Sequence, residues 1–287
     1  MMSFQHKKKF GQNFLTFVPQ EFFLPDDLFK SFKNITIIEI GTGLGAVTKE
    51  IAQHYAIALP HAKIDYHCID IDNEALTLLR DEVKKLVTPN IRYVYHNKNV
   101  LECNIQQMSE GVEVVWIIGS LPYNISKKIV NWLFEGLVDN AFKAVLPVKF
   151  IMQKEVAEHY AGAGESRDFL YQVMQSYATN AKIIKILMPG SFVPAPDVTS
   201  ALIEFIPVRT TREEYGKKEE LLRFIRQCYS FRRKKIRQFV TKHLSKKQTD
   251  ILLEKNDFLV PLLEKRPDEL TLKEYAQIYS TLIRTTD

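Results

Sequence analysis

The stretch ITIIEIGTGLG, residues 35–45, decides how the rest of the chain is read. Its first six residues include five β-branched ones, Ile35, Thr36, Ile37, Ile38 and Ile40. Such a run is stiff at χ1 and too short for a helix, so it reads as a buried strand. The strand stops at a Gly-x-Gly-x-Gly turn (Gly41, Gly43, Gly45), and residues 46–55 continue with helical character. Glycines at such a turn admit positive φ and let the backbone approach a ligand closely. In an open α/β sheet the ligand sits at the carboxyl ends of the strands, where this turn lies.

The flanking sequence repeats the alternation. Residues 64–71 (IDYHCIDI) read as a second strand, and 73–86 as an amphipathic helix with Leu76, Leu79, Val83 and Leu86 on one face. Residues 91–95 form a third strand and 112–118 (VEVVWII) a fourth that ends at Gly119; a helix over 125–137 follows, and 142–152 begins another strand. Strands alternating with helices imply a parallel sheet covered on both faces. A strand pair over 183–187 and 201–206 frames the Pro-rich loop SFVPAPDVTS. Beyond Pro207 a polar stretch, 209–220, leads to a basic helix over 221–244, with a bend left open, and a last helix over 270–283. The expected organisation is an α/β domain over 1–208 and a small all-helical domain over 209–287.

Composition narrows the classes. The 287 residues are 46% hydrophobic and 25% charged, the balance of a folded globular chain. The three cysteines, Cys68, Cys103 and Cys228, form no C-x-x-C pair, and the seven histidines show no ligand spacing with them, so neither a disulfide framework nor a metal site is expected. No apolar run reaches the ~18 residues of a membrane span. The start, MMSFQHKKKFGQNFL, lacks the apolar core of a secretory signal, and the expected location is the cytoplasm. Lys and Arg total 39 against 34 Asp and Glu, a net charge of +5. The excess is clustered, at Lys7, Lys8 and Lys9 and at Arg232, Arg233, Lys234, Lys235 and Arg237, which suits a polyanion such as RNA.

The turn also constrains its ligand. Its spacing departs from the G-x-G-x-x-G dinucleotide pattern, and Glu39 just before it would repel a pyrophosphate while favouring an ammonium or sulfonium group. The second strand ends in Asp70, placed to accept hydrogen bonds from both hydroxyls of a ribose; Asp72 reads as the cap of the next helix. An adenosyl ligand without a diphosphate fits best, and S-adenosylmethionine is the expected cofactor.

The fourth strand runs into Ile118-Gly119-Ser120-Leu121-Pro122-Tyr123-Asn124-Ile125-Ser126. This resembles the [Asp/Asn/Ser]-x-Pro-[Tyr/Phe] motif of amino-methyltransferases. A purine amine is a poor nucleophile because its lone pair is delocalised into the ring. The Ser120 hydroxyl and the Leu121 carbonyl, both accepting from the NH2 group, would favour a pyramidal nitrogen. Pro122 fixes the turn, and Tyr123 offers a flat face to an extruded base.

From here the chain resembles, nearly end to end, the ribosomal RNA adenine N6,N6-dimethyltransferases, which modify paired adenosines of small-subunit rRNA. Matching segments are Phe10-Gly11-Gln12-Asn13-Phe14-Leu15, the loop from Glu39 to Gly43, Asp70, Leu121 to Ser126, and Gln153-Lys154-Glu155-Val156. The match continues through Ser191-Phe192-Val193-Pro194-Ala195-Pro196-Asp197-Val198, Phe231 to Arg237, and Arg266-Pro267-Asp268-Glu269-Leu270. The resemblance implies a Rossmann-like, class I S-adenosylmethionine-dependent sheet with an all-helical C-terminal rRNA-binding domain, acting as a monomer on the assembling small subunit. It implies donor contacts at Asn13, Leu15, Glu39, Gly41, Gly43, Asp70, Asn99 and Ser120, an amine held by Ser120 and Leu121, and a base between Tyr123 and Phe192. Rows of phosphates would meet Lys7, Lys8, Lys9, Arg232, Arg233, Lys234 and Arg237.

The chain departs from the family pattern at three places. Ser120 stands where Asn is usual, Asn99 where an acid contacts the donor's adenine, and Asp168-Phe169-Leu170-Tyr171 where Tyr-Gly-x-Leu is expected. These keep a second reading open, an RNA-binding assembly or transcription factor of the same ancestry with little catalysis.

Overall fold

The computed structural model describes residues 12–137, 144–162, 169, 171–172, 176, 178–208, 212–231 and 233–286. In chain order the first of these form β1 (Phe14–Leu15), β2 (Asn34–Ile40), α1 (Ala46–Ala58), β3 (Lys63–Asp70), α2 (Asn73–Val83), β4 (Ile91–Asn97), β5 (Val114–Ser120) and α3 (Ser126–Gly136). There follow β6 (Val148–Gln153), α4 (Lys154–Ala161), β7 (Ala178–Leu187), β8 (Phe192–Val193) and β9 (Ser200–Pro207). The order across the main sheet is β4-β3-β2-β5-β6-β9-β7, with Ala144–Val145 pairing on β5. β2 pairs in parallel with both β3 and β5, and from Ile35 to Ile40 every residue of it is buried, which accounts for its unbroken apolar sequence.

Register, more than strand order, builds the site. Ile40 pairs with Ile69 of β3 and with Gly119 of β5, so three neighbouring parallel strands end level. Their continuations, Gly41, Asp70 and Ser120, are thereby brought to one edge of the sheet. The sheet is not wholly parallel, as the alternation had implied: β9 runs antiparallel to β6, with Ser200 opposite Gln153. A short connection spanning the Pro-rich loop can deliver an antiparallel strand, which a crossover helix cannot.

The core on one face gathers Phe29, Tyr55 and Trp116, with ring centroids 4.7 Å (Phe29–Tyr55) and 5.6 Å (Tyr55–Trp116) apart. Both polar tips are satisfied: the Tyr55 hydroxyl donates to the Leu24 carbonyl at 2.7 Å, and the Trp116 indole donates to Pro147 at 3.1 Å. α2 buries Ala75, Leu76, Leu79 and Val83 and ends there, so Leu86 packs on the core from just beyond the helix. The buried Lys149 ammonium donates to the carbonyls of Glu21 (2.7 Å) and Phe23 (2.8 Å), pinning the N-terminal segment to β6.

The chain divides into two compact units, Met1–Ala157 with Asn180–Arg209 and Glu158–Thr179 with Thr210–Asp287. The sequence reading put the boundary at 208/209 and kept 158–179 in the first domain, whereas that segment belongs to the second unit. The described helices of that unit include α5 (Arg212–Tyr229), α6 (Ile236–His243), α7 (Lys246–Lys255), α8 (Leu259–Leu263) and α9 (Leu272–Thr286). They surround buried Phe224, Ile225, Phe239, Leu263 and Tyr275, and the Tyr275 hydroxyl donates to Pro267 at 2.7 Å.

Two expectations change here. The polar stretch is helical from Arg212: Glu213 and Glu214 sit in the first turn, where the dipole favours acids, and Lys217 pairs with Glu213 at 2.6 Å. And 221–244 is two helices, because α5 stops at Tyr229 and α6 begins at Ile236. Arg233 and Lys234 lie in the connection, Lys235 is the N-cap of α6 and Arg237 sits in its first turn.

Among the described residues no helix is long and apolar enough to cross a membrane, and no group of three His, Cys, Asp or Glu could hold a metal ion.

Candidate active site

Above the level strand ends lies a cleft of about 590 Å³, within the size range of small-molecule sites. Its lining brings together Asn13, Glu39, Gly41, Gly43, Asp70 and Asn99 from one set of expected residues, and Ser120, Leu121, Pro122 and Tyr123 from the other.

On the first side, Gly41 (φ +73°) donates its N–H to Ile69 at 2.8 Å, and Gly43 (φ +50°) donates to Asp70 Oδ2 at 2.8 Å. The other Asp70 oxygen accepts from the Asp72 N–H at 2.9 Å, so one carboxylate organises both loops. Burial pushes the Asp70 carboxyl above the usual range, and these N–H bonds partly oppose it. A carboxylate has about four acceptor positions, so two remain for ribose hydroxyls. Asp72 caps α2 by accepting from Glu74 N–H at 3.1 Å, as expected, and also takes 2.7 Å from the Gln12 amide, which ties the N-terminal segment across the loop. Asn97 donates to the carbonyls of Asp70 and Ile71.

These features fit an adenosyl donor. The cradle depends on missing side chains: a Cβ on Gly41 would stand 2.7 Å from the Ser120 carbonyl oxygen, and one on Gly43 2.6 Å from the Phe14 ring. Two acids, Glu39 and Asp70, face a region where a pyrophosphate would otherwise have to sit. Two positions are less open than expected. Asn99 caps a 3-10 turn, its Oδ1 accepting from Leu101 N–H at 3.1 Å, so only part of its acceptor capacity faces the cleft. Leu15 borders the cleft, but its side chain belongs to the core.

Glu39 is only 1% exposed, and its Oε2 accepts from Tyr66 (2.6 Å) and Thr48 (2.7 Å). Burial raises its carboxyl to about 7, with those two hydrogen bonds opposing and the nearby Asp70 adding to the rise. The folded value thus exceeds the unfolded one of 4.5, so stability is full below about pH 4.5 and is lost as pH rises towards 7. The loss approaches roughly 3 kcal/mol. Glu39→Gln removes this titration, so the stability difference between wild type and variant should shift against wild type by about that amount between pH 4.5 and 8. Urea unfolding at a series of pH values checks it, and a constant difference would contradict the assignment.

On the second side, Leu121 N–H donates to Ile151 at 2.8 Å and Ile125 N–H to Pro122 at 3.2 Å, fixing the turn after β5. The Tyr123 hydroxyl lies 2.6 Å from Ser200 Oγ, a contact that holds the ring from β9. Ser126 Oγ donates to the Tyr123 carbonyl at 3.2 Å. Phe192, expected against the base, is not brought here: it is 3% exposed, pairs in register with Leu15 and belongs to the core.

The basic residues divide. Lys7, Lys8, Lys9 and Arg232 lie outside the described residues. Arg233 and Lys234 are exposed in the α5–α6 connection. Arg237 is half-buried and already paired, 3.1 Å from Asp250 and 3.7 Å from Glu264, and Lys235 pairs with Glu264 at 2.6 Å. Arg237 is therefore better placed to hold the helical unit together than to meet a phosphate. Sequence reading did not pick out Gln12, Thr48, Tyr66 or Ser200 as individual supports; only Gln12 carried a signal, within the Phe10–Leu15 segment.

The family model described as ribosomal RNA adenine dimethylase matches residues 3–280. A ribosomal RNA small subunit methyltransferase A of Borreliella burgdorferi is 31% identical over 96% of this chain and 88% of its own length. That of Alcanivorax borkumensis is 27% identical over 97% and 90%. Among solved structures, a dimethyladenosine transferase from Plasmodium falciparum superposes with a TM-score of 0.65 at 18% identity, over 90% of this chain and 92% of that one. The 23S rRNA methyltransferase ErmE gives 0.61 at 17%, over 90% and 95%. These two share the α/β fold of this chain. With a family model covering the chain almost from end to end, the protein belongs to the ribosomal RNA adenine dimethylase family.

Proposed function

We propose that the chain, acting as a monomer in the cytoplasm, dimethylates N6 of adjacent adenosines in small-subunit rRNA during ribosome assembly, with S-adenosylmethionine as donor. The observation that carries this reading is the level ending of β2, β3 and β5, which sets Gly41, Asp70 and Ser120 around one cleft. When bound, S-adenosylmethionine supplies an electrophilic methyl group on a sulfonium.

The chain's own residues do the rest. Asp70 holds the ribose hydroxyls, Asn99 the adenine edge, and Asn13, Leu15, Gly41, Gly43 and Glu39 surround the methionine part. Ser120 Oγ and the Leu121 carbonyl accept from the acceptor amine and turn its lone pair outward; Ser120 also borders the donor. Tyr123, braced on Ser200, stacks on the extruded base. No side chain is assigned as general base, since the methylated amine can release its surplus proton to water. Arg233 and Lys234, with Lys7, Lys8, Lys9 and Arg232, meet rRNA phosphates. Such contacts position the RNA without reading its sequence.

The test is transfer of labelled methyl from S-adenosylmethionine to unmodified small ribosomal subunits, followed by digestion to nucleosides. Label is expected in N6,N6-dimethyladenosine. Ser120→Ala should slow transfer on the order of 10–100-fold, the cost of losing one preorganised hydrogen bond at a reacting atom. The partial occupation of the Asn99 oxygen favours one rival, an assembly factor of the same ancestry. Subunit binding without any label would select that rival.

A further inference from the structure

We propose that Asn99 meets the donor's adenine with its amide nitrogen, so that the site reads a ring nitrogen of the base and leaves the 6-amino group without an acceptor. The inference rests on the reading of the cleft as an S-adenosylmethionine site and states which part of the adenine that site recognises.

The base belongs on the β4 side. The glycine loop follows β2, the ribose acid Asp70 ends β3, and β4 is the next strand outward. Asp70 pairs with Asn97 across β3 and β4, and the Asn97 amide donates to the carbonyls of Asp70 (3.2 Å) and Ile71 (3.1 Å). A ribose held at Asp70, with its methionine part over the glycine loop, therefore directs its base towards the continuation of β4. There Lys98, Asn99 and Val100 line the cleft.

What that continuation offers is fixed by the turn it forms. Asn99 is the N-cap of a 3-10 turn over Val100–Glu102, and its Oδ1 accepts the Leu101 N–H at 3.1 Å. A main-chain N–H can only donate, so the amide is oriented with its oxygen to the turn and Nδ2 away from it. Among the described residues Nδ2 has no partner, and an amide nitrogen is a donor only. The carbonyls beside it are engaged, that of Asn99 by the Glu102 N–H at 3.0 Å and that of Val100 by the Cys103 N–H at 2.9 Å. The neighbouring side chain, the exposed Lys98, also carries donors alone. An adenine has acceptors at its ring nitrogens and donors at its amine. A cleft wall of donors pairs with N1 or N7, which flank the amine, and not with the amine itself. A carboxylate at 99 would differ, since one oxygen could cap Leu101 while the other received the amine.

The experiment titrates the full chain, wild type and Asn99→Asp, with S-adenosylhomocysteine and its 6-deamino, 1-deaza and 7-deaza analogues by calorimetry. Asn99→Asp keeps the cap, because Asp serves as well as Asn at that position. In wild type the 6-deamino analogue should bind within about twofold of the parent, and one of the two deaza analogues about fivefold more weakly, the size of one hydrogen bond. Asn99→Asp should bind S-adenosylhomocysteine about fivefold more tightly than wild type, and removing the 6-amino group should cancel that gain. A fivefold loss with the 6-deamino analogue in wild type, two deaza analogues that bind like the parent, or an unchanged ranking in Asn99→Asp would each overturn the inference while leaving the donor site standing. A wild-type chain with no saturable binding of S-adenosylhomocysteine would overturn both.

Discussion

Gly41→Ala should abolish measurable methyl transfer and lower the stability of the methyltransferase unit by about 3 kcal/mol. A non-glycine residue at φ +73° costs about 1–3 kcal/mol by itself. The new Cβ would also stand 2.7 Å from the Ser120 carbonyl oxygen, a main-chain atom at the end of a buried parallel strand. Neither partner can yield cheaply. Gly41 is tied to Ile69 by its N–H, and β5 is paired with β2 up to Gly119. Relief therefore comes by lifting the glycine loop off Ser120, which separates the donor side of the cleft from the acceptor side. Calorimetric scans should show Tm lower by roughly 6–12 °C, and titration with S-adenosylhomocysteine should show no saturable binding. Wild-type affinity in this variant would mean that the loop does not carry the donor.

Asp70→Asn should weaken donor binding at least 100-fold with a smaller effect on folding. Each carboxylate oxygen accepts one backbone N–H, from Gly43 and from Asp72. An amide has a single acceptor oxygen, so one of those N–H groups would face an NH2 group in a buried setting. Leaving a buried donor unsatisfied costs about 1–3 kcal/mol, and the loop shaped by that bond is the one that surrounds the donor. The charge that would receive the ribose hydroxyls is lost as well. Titration calorimetry with S-adenosylmethionine measures the change directly. An affinity within threefold of wild type would remove Asp70 from the ribose role.

Much of this site could be read from the chain because it is built at strand ends. A β-branched run ended by glycines places residue 41, an apolar run ended by acid places residue 70, and another ended by Gly-Ser places residue 120. Each landmark is local, and parallel pairing needs only level registers to unite them. What could not be read depends on contacts far apart in sequence. Glu39 owes its raised carboxyl to burial, which hydrogen bonds from Tyr66 on the next strand and Thr48 on the next helix only partly offset. Where Phe192 lies is decided by the pairing of β1 with β8, two-residue strands with almost no pattern of their own. In the C-terminal unit the helix from Arg212 begins on charge pairing rather than apolar period, and the chain leaves the helix between Tyr229 and Ile236 where periodicity alone would have continued it.

The same β1–β8 ribbon sets an order of assembly. The glycine loop and its ribose acid lie between residues 34 and 120 and close through neighbouring strands, so they can form while the rest of the chain is still being made, whereas Asn13, Phe14 and Leu15 belong to the ribbon. The ribbon has to wait for residues near 193, and closing so long a loop is entropically costly and slow. A chain emerging from its own ribosome would thus acquire the glycine loop and its ribose acid well before Asn13, Leu15 and the rim beyond them are fixed in place.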